Sequence, residues 1–232
     1  MDTRRLVLGD WTPLVRDGID VLRGSLLLGA VGFAVAGDLG GALLLGGFGA
    51  ATLLARVVNL PRPYDLGFVL AMLLQGWGEA LAAYDKLPWF DNVVHFLLPC
   101  LLAPVIYIAL ARIEVLLDPK DETYTRHYVG IFVITFSIGS MIGAVWELAE
   151  WAGDTWLGTN LQKSNVDTVG DLLFDTIGAL VGAGLLVVWT RFSWGSVRRI
   201  PGENRYEATD ATTARTEPAV RNRTTGGQRK GG

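Results

Sequence analysis

Residues 97–111, LLPCLLAPVIYIALA, hold no charged side chain, and similar apolar blocks recur along the chain with short charged stretches between them. Soluble folds bury apolar runs of strand length, whereas a bilayer span needs roughly 20 mostly apolar residues. Half of the 232 residues are hydrophobic, and the blocks approach that length. Lipid offers no hydrogen-bond partner to exposed backbone, so segments of this kind must be helical. The pattern predicts an all-α integral membrane bundle of about six transmembrane helices, at residues 25–36, 39–55, 64–83, 91–111, 127–151 and 167–190.

The first two spans are short and glycine-rich, with a tight turn at Gly37-Asp38 between them. Ala34-Val35-Ala36 also reads as a small-x-small cleavage site after an apolar stretch, a competing interpretation of the first span. Residues 1–24 form a leader with Arg4, Arg5, Arg16, Arg23 and Trp11, expected to be cytoplasmic and partly interfacial. Residues 191–232 form a basic juxtamembrane segment, with Arg191, Arg198 and Arg199, and a tail of Thr, Arg, Gly and Ala expected to be disordered.

Basic residues in short loops set orientation. One side holds the leader, Arg56, Arg62, Arg112, Lys120, Arg126 and the juxtamembrane arginines, and the other holds Lys86 and Lys163. Both termini are therefore expected in the cytoplasm of a plasma-membrane protein. Trp77, Trp89, Trp146, Trp151 and Trp156 then fall near the outer face, as an interfacial belt. Cys100 is alone in the chain, so no intramolecular disulfide exists.

The outer face collects acids. Residues 84–96, YDKLPWFDNVVHF, place Asp85, Asp91 and His95 at the mouth of an apolar span, and Asp91 and His95 share one helical face. Glu79, Glu147, Glu150, Asp154, Asp167, Asp171 and Asp175 come to the same leaflet from other spans. Asp167, Asp171 and Asp175 follow at i, i+4, i+8, so Asp175 lies roughly 12 Å deeper than Asp167. Helix-dipole stabilisation accounts for Asp167 and in part Asp171. It does not account for Asp175, which must face the bundle interior or a water-filled cavity. Packed carboxylates either hold protons or share a cation.

Small residues point the same way. Gly139, Gly143 and Glu147 lie four apart, and Gly178 and Gly182 follow Asp175. That spacing lets helix backbones approach closely and would set Glu147 or Glu150 against Asp171 or Asp175. Pro99 and Pro104 remove the helical hydrogen bonds to the His95 and Cys100 carbonyls and would bend the fourth span. His127 sits in a basic stretch and is expected to be solvated.

One imidazole among carboxylates suits a divalent cation such as zinc, manganese or magnesium. Asp91, His95, Glu150 and Asp171 are the candidate ligands, and Asp91, His95, Glu147, Glu150, Asp171 and Asp175 the candidate catalytic set. There is no phosphate-binding glycine loop and no basic aromatic surface, so nucleic acid is not an expected partner.

Taken together, residues 84–96, then WELAEW at 146–151 and DTVGDLLFDTIGALVG at 167–182, resemble the YjdF-like bacterial inner-membrane proteins and, more distantly, the VanZ-like proteins linked to glycopeptide resistance. The likeness covers residues 65–189 and implies a multi-pass membrane protein. In the VanZ-like pattern a Gln follows the Glu and an Asn stands near the last Asp; here Glu150 and Asp175 occupy those places and make the site more acidic. Three functions are open at this point. One is a metal-dependent hydrolase or transferase acting on a lipid or envelope precursor. The others are a proton- or cation-coupled transporter, and a non-catalytic scaffold.

Overall fold

The computed structural model describes residues 15, 17–58, 60–113, 115–119 and 125–192, so most of the leader and the whole polar tail lie outside the described residues. The chain runs as α1 (Gly18–Val35), α2 (Leu39–Val58), α3 (Arg62–Ala80), the short α4 (Ala83–Lys86), α5 (Phe90–Arg112), α6 (His127–Ala152) with a π-helical turn (Gly153–Leu157), and α7 (Asn165–Phe192). Among the described residues there is no strand. The fold is the expected all-α membrane bundle.

Five of these helices are long and apolar enough to cross a bilayer: α1, α2, α5, α6 with its π-helical extension, and α7. Their outward faces carry Leu28, Val31, Val35, Leu43 and Leu173, all more than half exposed. A helix facing water would not present such a surface, whereas one facing acyl chains must. The long α3 falls outside this group, because Arg62, Asp65, Gln75 and Glu79 dilute its apolar content.

Boundaries moved where local hydrogen bonding outweighs hydropathy. The first long helix starts at Gly18, not residue 25, because the Asp17 side chain accepts the Ile19 amide as an N-cap, 2.9 Å away. It turns into α2 through Gly37, whose φ of 85° suits a residue without Cβ. The Asp38 carboxylate then takes the Gly41 amide.

That earlier start corrects the reading of Arg23 as an interfacial residue. Arg23 is 2% exposed; its guanidinium donates to Asp20, to Asp65 of α3 and to the Thr52 carbonyl of α2. Arg56, expected in a loop, is buried within α2 and lies 3.6 Å from Asp20. Three helices are thus tied at one end by ion pairs. His127 is likewise buried rather than solvated, its Nε2 2.6 Å from the Pro119 carbonyl.

Two apolar clusters fill the bundle and α5 belongs to both. Leu26, Leu45, Met72, Val94 and Leu98 join it to α1, α2 and α3. Ala103, Ile108, Ile131, Ile138 and Leu186 join it to α6 and α7. Against α7 the contact reaches backbone: a Cβ on Gly178 would overlap the Phe96 carbonyl, and one on Gly182 the Cys100 carbonyl. Pro104 cannot donate to that Cys100 oxygen, so the carbonyl it leaves unclaimed within α5 is the one facing Gly182.

Two outcomes test this packing. Gly182→Ala should destabilise the detergent-solubilised protein by about 1–3 kcal/mol, the range for overpacking, measured by thermal melting. Arg23→Ala should cost about 3–5 kcal/mol by removing a buried charge that two carboxylates share, and Arg23→Met with Asp65→Leu should recover part of the loss.

Candidate metal and catalytic site

The opposite end from Arg23 holds the acids. α5 supplies Asp91 and His95, α6 supplies Glu147, and α7 supplies Asp171 and Asp175. The α5–α7 backbone contact fixes their register: His95 precedes Phe96 and Asp175 lies one turn before Gly178, so the imidazole and carboxylate meet at 3.2 Å. Gly143 does more than admit a helix, because a side chain there would overlap the Asp175 carboxylate itself.

The acids form two groups that share His95. On one side, Asp91, His95 and Asp171 place ligand atoms within 4.8 Å of one another. On the other, His95, Glu147 and Asp175 do the same. Nε2 lies 3.5 Å from Asp91 Oδ1, while Nδ1 faces Asp175 Oδ2 at 3.2 Å and Glu147 Oε1 at 3.9 Å. With Nδ1 protonated and donating to Asp175, the Nε2 lone pair lies on the Asp91 side of the ring.

Glu147 is 5% exposed, and its Oε1 has no hydrogen-bond partner. A buried carboxylate oxygen in that state calls for a proton or a cation. A cavity of about 10 Å³ lies against the His95 and Asp175 side of the cluster, lined also by Val94, Leu98, Ile142, Gly143 and Trp146. That volume suits one water or one ion.

A strap, residues 158–164, closes over this end. Asp154 shapes it by accepting the Leu161 and Gln162 amides and the Thr159 hydroxyl at 2.7–2.9 Å. Gln162 Nε2 donates to the Glu147 carbonyl and to its Oε2, at 3.1 and 3.2 Å. Lys163 Nζ lies 2.9 Å from Asp91 Oδ2, and this hydrogen bond holds the ammonium above the ordinary lysine range. Below α3, Tyr84 donates to Gln75 Oε1 at 2.6 Å; burial, then the Asp91 charge, pushes the phenol pKa up and keeps it a donor.

Of the expected site residues, Asp91, His95, Glu147, Asp171 and Asp175 converge. Glu150 joins neither group and accepts instead from Trp146 Nε1 on its own helix, at 2.9 Å. Asp154 is a loop-shaping residue rather than part of the acid cluster. Gln162 was not foreseen, since an isolated amide in a polar loop gives no signal of its own. The Asp20, Arg23, Arg56 and Asp65 network was also missed, although Asp20 and Arg23 at i, i+3 mark a shared helical face.

Comparison with known proteins adds the family. An uncharacterized protein of Thermotoga maritima is 28% identical over 110 residues, which is 47% of this chain and 53% of that protein, so the chain spans about half the length of this relative. No solved structure matches the chain. The model of the family described as "Predicted membrane protein (DUF2238)" matches residues 30–192, which take in α2 to α7 and every residue of the acid cluster. The chain belongs to the DUF2238 family of predicted membrane proteins.

Proposed function

We propose that the chain is a membrane-embedded hydrolase or transferase that uses a divalent cation held by Asp91, His95 Nε2 and Asp171, on an amphiphilic substrate such as a lipid or envelope precursor. The carrying observation is the paired imidazole. Asp175 grips Nδ1 at 3.2 Å while Nε2 faces Asp91, the arrangement by which a second carboxylate orients a metal-binding histidine. The buried, unpartnered Oε1 of Glu147 beside the same ring supports it independently.

When bound, the cation would polarise a carbonyl or phosphoryl oxygen. Glu147, whose Oε1 lies 3.9 Å from the His95 ring, would accept a proton from a water bound beside that ring, and Asp175 would keep the imidazole in one tautomer. Val94, Leu98, Ile142 and Trp146 give the cavity against His95 apolar walls, which limit access of bulk water to the ring. Glu150 stands outside the ligand set, satisfied by Trp146.

A transport reading has less support, because Gly178 and Gly182 bring α7 onto the α5 backbone just below Asp175, where a through path would run. The resemblance to YjdF-like proteins and the loop charges favour a plasma-membrane protein with both termini inside and the acids outside.

Purified wild-type protein should carry about one divalent cation per chain by elemental analysis, and His95→Ala should lose it. Glu147→Gln should keep the metal, since its role is proton transfer. Equal, negligible metal in wild type and His95→Ala would overturn the proposal. For orientation, a membrane-impermeant thiol reagent applied to intact cells should label Thr159→Cys and leave Thr125→Cys unreacted; the reverse pattern would invert the topology.

A further inference from the structure

Asp91 divides its carboxylate between two partners. Oδ1 faces His95 Nε2 at 3.5 Å and Oδ2 takes Lys163 Nζ at 2.9 Å. Lys163 arrives from the strap, 72 residues later in sequence, and its neighbour Gln162 grips Glu147 on another helix. The strap therefore holds two acids of the site through two consecutive side chains.

The backbone around Lys163 is fixed on both sides. Asp154 holds Leu161 and Gln162, and Ser164 Oγ accepts the Asp167 amide at 3.2 Å where α7 begins. The side chain itself is free to move: it is 57% exposed and can turn into water at little cost. The other lysine at this end, Lys86, is committed to the Leu81 carbonyl at 2.7 Å.

We infer, building on a divalent cation at Asp91, His95 and Asp171, that Lys163 is a tethered counter-cation that holds Asp91 and gives way to the ion, so that its ammonium sets how tightly the site binds metal. An ammonium and a divalent ion drawn to one carboxylate repel each other at a few ångströms, and the ion carries the larger charge. Tethering keeps the ammonium at high local concentration, so the ion always competes with it. Lys163 is thus a regulatory group of the site, and not one of its ligands.

The test is manganese binding by titration calorimetry on the full chain in detergent after its metal has been removed with a chelator, with circular dichroism confirming the fold of each variant. Lys163→Met should bind Mn²⁺ about two- to fivefold more tightly than wild type, the fold-change matching the worth of an exposed ion pair. Lys163→Arg and Lys86→Met should bind as wild type does. A structural role for Lys163 would weaken binding instead. Unchanged or weaker binding in Lys163→Met, with wild type binding Mn²⁺, would overturn this inference alone. Absence of Mn²⁺ binding in wild type would overturn the cation reading and this inference with it.

Discussion

The backbone contact between α5 and α7 is the constraint on which the site depends. A helix that carries an aspartate one turn before a glycine can set that carboxylate on the facing histidine only if the glycine touches the neighbouring backbone. Gly178 against the Phe96 carbonyl and Gly182 against the Cys100 carbonyl provide two such contacts a turn apart. Two points fix a register; one would leave α7 free to pivot. In lipid, where apolar contact with a neighbour gains little over contact with acyl chains, close backbone packing of this kind carries a larger share of the association.

The electrostatics of the two ends differ in kind. Around Arg23, two guanidinium groups meet two carboxylates, and the ion pairs link α1, α2 and α3. Around His95, four carboxylates gather with one imidazole and one lysine at the rim. The first arrangement pairs opposite charges and joins helices. The second gathers more acids than bases where burying charge is expensive, so its carboxylates must hold protons or share a cation, which is why the proposed function is placed there.

Fold class and the convergence of acids were legible because each rests on a local pattern: block hydropathy, i, i+4 spacing, glycines at one-turn intervals; the count of six spans was not, because the polar residues of α3 leave five helices apolar enough to cross. Asp91, His95, Asp171 and Asp175 were found in this way. The choice between Glu147 and Glu150 was not, since both lie near the end of α6, and rotation about the helix axis decides which one faces His95. Gly143 held the clue: it lies one turn below Glu147 on the face that receives Asp175. Arg23 and Arg56 were misplaced for a different reason. Charge near a span reads as loop, and the partners that draw these residues inward come from other helices, with Asp65 42 residues beyond Arg23.

The distance along the chain between Arg23 and Asp65 also bears on how the protein reaches its membrane. Helices leave the ribosome in order, so Arg23, less than two turns inside α1, enters the membrane before its α3 partner Asp65 is made, at a penalty that snorkelling to the interface keeps below the cost at a span centre. That penalty is relieved when α3 emerges with Asp65. The first helices are therefore expected to linger at the insertion machinery as a group and to enter lipid together, with α3, the least apolar of the long helices, carried in by the partner it neutralises.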